Sequence, residues 1–178
     1  VTDGGSTVIA YTVTASPGGQ TVTVGGSTLT ATFTTLTNGT SYTLTVVATN
    51  TVGAGASSSA SNAVTPATVP GAPTNVTAIA GDTQATVSWA APVFTGGSAT
   101  TGYTITASPG GQTVTVGGST LTVTFTTLTN GTSYTFIVTT INTIGAGASS
   151  SASNAVTPAT VAGAPTNVSA TAGNTQAT

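Results

Sequence analysis

Apolar residues and threonines alternate along short segments of this chain. In residues 120–126, Leu121, Val123 and Phe125 alternate with Thr, and residues 101–108 follow the same rule. A period of two residues is typical of a strand with one buried face, so these side chains are predicted to point inward. Turn sequences rich in Gly, Pro and Asn separate the segments, and no segment shows a helical period. The pattern therefore predicts an all-β chain.

The alternating pattern occurs twice. Tyr11 recurs as Tyr103, and aligning residues 1–86 with residues 93–178 at an offset of 92 leaves 68 of 86 positions identical. A period near 90 residues is the size of a small β-sandwich. We therefore expect one complete unit at 71–158, preceded by a unit at 1–66 that lacks its first two strands. Residues 164–178 would be the first strand and the start of the second strand of a further unit.

Seven short strands are predicted within the complete unit. Turn signals bound each of them, as in small antiparallel sandwiches. The predicted strands are 74–80, 84–89, 101–108, 112–116, 120–126, 133–142 and 155–157.

Several motifs of this unit resemble a fibronectin type III repeat of the bacterial kind. They are Pro73 to Val76, Trp89, Gly102-Tyr103, Leu128-Thr-Asn-Gly-Thr-Ser-Tyr134 and Asn142-Thr-Ile-Gly145. The resemblance implies tandem seven-stranded antiparallel sandwiches of an extracellular chain, used as spacer, stalk or binding module. It also implies that Leu128 to Tyr134 form a tyrosine corner, whose Tyr hydroxyl bonds to nearby backbone. Thr140 departs from the small apolar residue usual in the family.

Large side chains at inward positions are expected to form the core rather than to stack on carbohydrate. These core positions are Leu36, Tyr42, Trp89, Tyr103, Phe125, Leu128, Tyr134 and Phe136.

The composition excludes several classes of function. Among 178 residues there is no Lys, Arg, His, Cys or Met, and Asp3 and Asp82 are the only carboxylates. General acid–base catalysis and zinc, copper or iron binding depend on residue types that are almost all missing. Phosphate neutralisation needs Lys or Arg, so nucleic acid is excluded as a partner. We expect no enzyme, no cofactor and no metal, with both Asp residues serving as solvated turn residues.

Membrane insertion is not expected either. No stretch approaches the roughly 18 apolar residues that a spanning helix needs.

Four Asn-x-Ser/Thr sequences are candidate glycosylation sites, at Asn38, Asn75, Asn130 and Asn167. Asn38 and Asn130 precede Gly, which is equally a turn signal. Ile137 and Ile141 alternate with the inward residues of their strand, so they should point outward, where the first copy has Thr. We expect a lateral contact with a neighbouring domain there, against the alternative of ordinary exposed apolar residues.

The phase of the repeat suggests an assembly. A sandwich without its first two strands has an open sheet edge, which readily pairs with an extended segment. Residues 164–178, with Ala164, Val168 and Ala170 on the docking strand, would fill this place in the next copy and give a head-to-tail homopolymer. The competing and favoured interpretation is a window on a longer covalent array.

The sequence thus predicts a structural subunit of an extracellular or cell-surface filament, stalk or layer, whose partner is the chain itself. A Pro-rich linker at 65–73 favours a stiff connection. The alternative is an adhesin, or an accessory binding module of a secreted carbohydrate-active enzyme, with surface carbohydrate as partner.

Overall fold

The computed structural model describes residues 3–177, and these residues form strands, turns and loops without a helix. The predicted all-β class and tandem sandwich architecture are confirmed. All strand pairs are antiparallel.

The first unit contains one four-stranded sheet. Its strands are β1 (Ala10–Ser16), β2 (Thr21–Gly25), β3 (Thr43–Thr49) and β4 (Ala54–Ser57), in the order β2-β1-β3-β4. Residues 28–33 form no strand, although their counterpart in the second unit does.

The second unit is a complete two-layer sandwich of seven strands. A three-stranded sheet is ordered β5-β6-β9, from β5 (Thr74–Ala80), β6 (Ala85–Ala90) and β9 (Thr122–Phe125). The facing sheet is ordered β11-β10-β7-β8, from β7 (Thr100–Ser108), β8 (Thr113–Gly117), β10 (Thr135–Asn142) and β11 (Ala146–Ser149).

The core of the second unit lies between these two sheets. Alternate residues of β6, β7 and β10 point inward, so their apolar side chains meet across the layers. Trp89 packs edge-on against Tyr103 with ring centroids 5.4 Å apart, and Phe125 packs against Phe136 at 5.0 Å. Leu128 and Tyr134 complete the buried set.

Burial in the first unit is weaker at equivalent positions. Tyr42 and Val13 are buried, but Leu36, Leu44 and Val46 stay half-buried. In the second unit, β5 and β6 cover the corresponding positions, and residues 3–66 contain no counterpart of these strands. Leu36, which was predicted to be a core residue, is therefore only half-buried.

Two predictions about the second unit are wrong. Leu121 is 41% exposed, because it precedes β9 at the margin of the sandwich. The last strand is β11, whereas residues 155–157 contribute only the bridge between Val156 and Tyr134. The residues of β11, Ala-Gly-Ala-Ser, are all small, so they show no alternating pattern from which a strand could be recognised.

After the second unit, a short hairpin repeats the turn between β5 and β6. Strand β12 (Ala172–Gly173) pairs with β13 (Gln176–Ala177), with Ala172 opposite Ala177. Ala80 is opposite Ala85 in the same register, 92 residues earlier. The hairpin thus has the same register as the turn between β5 and β6.

Candidate interaction site

The linker between the units is hydrogen-bonded to both of them. On the first unit, Gly39 N–H donates to Pro66 O over 2.9 Å. On the second unit, Thr68 N–H donates to Gly96 O and Gly71 N–H donates to Phe94 O, each over 2.8 Å. Backbone bonds at both ends therefore limit the freedom of the linker.

Asn142, at the end of β10, ties the linker to two loops of the second unit. Its Nδ2 donates to Thr68 O over 2.8 Å and to Thr95 O over 3.0 Å. Its Oδ1 accepts from the N–H groups of Ile144 at 2.9 Å and Gly145 at 3.1 Å. The side chain is 4% exposed, so four hydrogen bonds satisfy a buried amide at the junction.

Glycines let the backbones approach at this junction. A Cβ on Gly39 would lie 3.0 Å from the Cα of Gly97, and a Cβ on Gly97 would overlap the Gly39 nitrogen. Cβ atoms on Gly96 and Gly147 would likewise overlap carbonyl oxygens of the linker, at Thr68 and Pro70. Gly39 and Gly97 therefore require glycine while the units are in contact, and Gly96 and Gly147 require it while the linker lies on the second unit.

The first unit repeats the hydrogen bonds of the Asn142 side chain at Asn50. Asn50 Nδ2 donates to Asp3 O over 2.9 Å, and its Oδ1 accepts from Val52 N–H and Gly53 N–H at 2.9 and 3.2 Å. The second Nδ2 contact is a long 3.4 Å bond to Ser6 O. A groove of about 630 Å³ lies here. We call it the head groove, lined in part by Asp3, Gly4, Asn50, Gly53 and Gly55.

Beside the head groove, segment 28–33 covers the apolar face of the β1–β3 sheet only in part. A cavity of about 200 Å³ opens on it, next to the unpaired segment 28–33. Its apolar lining, here called the open face, includes Tyr11, Val13, Val24 and Val46. The equivalent residues of the second unit pack under β5 and β6.

The predicted docking residues Ala164, Val168 and Ala170 are exposed, with Val168 at 84%. The chain does not bring them to the open face of its own first unit. Their pairing with another copy is addressed below.

Both units contain a tyrosine corner. The hydroxyl of Tyr42 accepts from Thr37 N–H over 3.1 Å, and that of Tyr134 accepts from Thr129 N–H over 3.2 Å. These backbone donors stabilise the phenolate and lower the pKa of both Tyr hydroxyls below 10.0. Burial instead raises the pKa of Tyr103.

The two carboxylates are turn residues on different units. Asp3 Oδ1 accepts from Gly5 N–H at 2.9 Å, and Asp82 Oδ1 accepts from Asn130 Nδ2 at 2.8 Å. Within residues 3–177 there is no group of three side chains that could hold a metal ion. No helix in this range is long and apolar enough to cross a membrane.

The four sequons differ in environment. Asn75 and Asn167 are exposed with positive φ, at 53° and 57°. Asn38 is half-buried in the turn that reaches the second unit. Asn130 is engaged on both amide atoms, since its Oδ1 also accepts from Thr83 N–H at 2.9 Å.

On the outer face of β10, Ile137 is 36% exposed and Ile141 is half-buried. Both alternate with buried Phe136, Val138 and Thr140.

Sequence reasoning identified Asn142 as part of a family motif but predicted neither its hydrogen bonds to the linker nor the contact between Gly39 and Gly97. The 92-residue repeat did offer a signal. Asn50 recurs as Asn142, and Gly4-Gly5 recurs as Gly96-Gly97. That signal indicates repetition, but not which residues meet across a junction.

The sequence profile of the fibronectin type III domain matches residues 1–64 and 71–156. The chain belongs to the fibronectin type III family. Its fold is similar to the crystal structure of chicken CNTN1 FN1-FN3 domains, with a TM-score of 0.50 and 24% identity. That alignment covers 96% of this chain and 64% of the other, which is less than two thirds of its length.

A structure of titin kinase and its flanking domains is also similar, with a TM-score of 0.46 and 26% identity. It covers 52% of this chain and 18% of the other. No curated protein sequence matches the chain. Fibronectin type III domains are typically non-catalytic structural or binding modules, and many are extracellular.

Proposed function

We propose that this tandem pair of fibronectin type III domains is a structural subunit of an extracellular filament, stalk or surface layer. The observation that carries the proposal is the linker between the domains, which is bonded to both. Thr68 N–H and O both bond to the second domain, while Pro66 O bonds to the first.

A junction of this kind supports stiffness. One hydrogen bond holds the linker to the first domain and three hold it to the second, and each net hydrogen bond contributes about 0.5–1.5 kcal/mol. The direct contact between Gly39 and Gly97 must also open before the domains can hinge. Pro66 and Pro70 also restrict the linker backbone. The domains would thus keep one relative orientation, as a stiff rod requires.

The proposed role is mechanical and not catalytic. The chain has two carboxylates, and each is engaged in its own turn. A hydroxyl nucleophile needs an adjacent base, which neither Asp provides among the bonds it makes.

The partner we propose is the chain itself, either as further repeats of a longer covalent array or as a second copy added head to tail. Residues 164–177 repeat the sequence of β5 and the turn into β6, and these strands cover the core in the complete domain. In the head-to-tail arrangement, Ala164, Val168 and Ala170 of one copy would lie over the open face of the next. The open face would then be buried in the assembled string.

Small-angle X-ray scattering of the 178-residue chain tests the proposed stiffness. We expect a curve fitted by one elongated rigid particle at low concentration, lengthening as concentration rises. A curve that requires an ensemble of bent and extended shapes at every concentration would overturn the structural role.

A further inference from the structure

We propose that the edge strands β2 and β8 pair side by side, in antiparallel fashion, with the same strands of a second copy of this chain. The four-stranded sheets of the two copies would then join into one continuous sheet. The contact lies between neighbouring chains, so it goes beyond the proposed mechanical role and does not depend on how repeats follow one another along a string.

Strand β8 leaves half of its backbone groups unpaired. In an antiparallel pair, alternate residues exchange hydrogen bonds with the neighbouring strand. Ala107 N–H donates to Gln112 O just before β8 begins. Counting from this bond, Val114 bonds to β7, whereas Thr113 and Thr115 direct their N–H and C=O groups outward. No other hydrogen bond within residues 3–177 uses these outward groups, so β8 is a free sheet edge.

The same edge recurs in the first domain. Strands β2 and β8 share the sequence Thr-Val-Thr-Val-Gly, and each is the last strand of its sheet. The registers also agree, since Thr23 lies opposite Thr12 as Thr115 lies opposite Thr104. One chain thus offers two matching edges, and pairing at one would raise the effective concentration for pairing at the other.

Two other edges of the second domain are protected. At the edge strand β5, Asn154 Oδ1 accepts from Ala78 N–H over 2.9 Å and Asn154 Nδ2 donates to Ala78 O over 3.0 Å. This side chain therefore takes the place of a further strand. At β11, the register shifts, and the Pro70 carbonyl occupies the place that a Cβ on Gly147 would take. Irregular pairing and covering are common protections of a sheet edge, and β8 has neither.

Strand β8 also lacks the residues that usually prevent edge pairing. Natural edge strands often carry Lys, Pro or an inward charge, and none of these occurs in Thr113–Gly117. Its Thr and Val residues are β-branched and favour an extended backbone. The carboxylates Asp3 and Asp82 lie outside β2 and β8, so these strands bring no like charges together when two copies meet.

A second copy of β8 fits this edge in a self-complementary register. With Thr115 opposite Thr115 of the second copy, Thr113 lies opposite Gly117 and Val114 lies opposite Val116. All residues with outward backbone groups then face one another, so each such pair can exchange two hydrogen bonds. Because the side-chain period is two, the register also keeps Val on the core side and Thr on the outer side of the joined sheet.

The outer face supports the same register. Thr115 ends a row of hydroxyl residues that crosses the sheet from Ser149 through Thr139 and Thr104. Neighbouring hydroxyls in this row bond at 2.8 Å between Thr139 and Ser149 and at 3.2 Å between Thr104 and Thr115. Opposed Thr side chains are a favourable cross-strand pair, so the row can continue into the second copy.

A charge exchange at the centre of this register tests the contact. One variant combines Thr23→Lys with Thr115→Lys, and the other combines Thr23→Glu with Thr115→Glu. Both positions are exposed, so the substitutions should leave each domain folded. Each variant places like charges opposite each other in every pairing of β2 and β8, whereas a mixture of the two variants places Lys opposite Glu.

Sedimentation velocity of the 178-residue chain at low ionic strength measures association. We expect each variant alone to need at least tenfold higher concentration than the wild type, and an equimolar mixture to associate at least as well as the wild type. Thr35→Lys combined with Thr77→Lys is the control, because it adds the same charge at exposed positions outside β2 and β8 and should associate like the wild type. The inference is overturned by a wild type that stays monomeric, by a Lys variant that associates like the wild type, or by a mixture that associates no better than its components.

Discussion

Gly39 of the first domain and Gly97 of the second pack backbone to backbone, so closely that a Cβ on Gly39 would lie 3.0 Å from the Gly97 Cα. The contact joins the turn after Asn38 to the loop before β7. Neither glycine has a side chain, so the spacing of the domains at this contact depends on backbone shape. This contact supports the stiff connection that we propose for a chain with no Cys, Lys or Arg.

Gly97→Ala should therefore loosen the junction, and Gly5→Ala should not. The two glycines are repeats of each other with φ of 79° and 81°, so both substitutions carry the same backbone strain, about 1–2 kcal/mol. Only the Cβ at Gly97 would overlap Gly39, whereas one at Gly5 meets nothing within 4 Å. Small-angle scattering should show bent conformers for Gly97→Ala alone. Equal scattering from both variants would show that the contact does not hold the domains.

Thr140→Val should stabilise the second domain by about 1 kcal/mol, since a buried polar group without a partner is costly. Thr140 is fully buried and its hydroxyl has no hydrogen-bond partner. Thermal unfolding would detect the change as a rise of several degrees for a domain of this size. Thr139→Val is the control. The Thr139 hydroxyl is hydrogen-bonded to the Ser149 hydroxyl at 2.8 Å, so this variant should make the domain less stable. A lower melting temperature for Thr140→Val would contradict the expectation.

Tyr134→Phe should destabilise the second domain by about 1 kcal/mol, because Thr129 N–H loses its acceptor. Tyr42→Phe should have a similar effect on the first domain through Thr37. Chemical denaturation of each variant measures the loss. Unchanged stability in both would mean that the corner bonds are replaced by water at no cost.

Alkaline titration should separate the tyrosines. Backbone donation lowers the pKa of Tyr42 and Tyr134, so the folded chain releases these two protons first. Their contribution to the free energy of unfolding grows as pH rises toward 10, is fully present above pH 10, and is lost as pH falls through the lowered pKa. Burial raises the pKa of Tyr103, whose contribution is present below pH 10 and is lost as pH rises further. In phenolate absorbance, Tyr134→Phe should remove an early part of the transition and Tyr103→Phe a late part. The reverse order would contradict the assigned causes.

Ile137 and Ile141 on the outer face of β10 provide the lateral contact between strings that we propose. Replacing both with Thr, which the first domain carries at Thr45 and Thr49, should reduce side-by-side bundling in electron micrographs without shortening single strings. Ile79→Thr on β5 is the control, since Ile79 is 73% exposed but lies on another sheet. Bundles that persist unchanged in the double variant would exclude this face.

The sequence predicts much of the fold because alternation is a local property. The positions of Tyr103, Phe136 and Val138 follow from period two alone. Strand β11 could not be predicted, since Ala-Gly-Ala-Ser lacks a period, and beyond it the hydroxyls of Ser150 and Ser153 accept from Val138 N–H and Phe136 N–H. Side chains there replace part of the backbone ladder.

The junction was harder still to predict. Gly97 and Asn142 act on residues of the linker and of the other domain, so no local pattern indicates their partners. The repeat shows that both recur, as Gly5 and Asn50, but only the folded chain shows what they contact.

A distance distribution between the domains tests the central claim most directly. The chain contains no Cys, so spin labels on Thr23→Cys and Thr115→Cys, both exposed, report one intramolecular distance without background. Double electron–electron resonance on the dilute protein should give a single narrow distribution. A broad distribution, or several separate distances, would show that the domains move independently and would contradict a rigid junction.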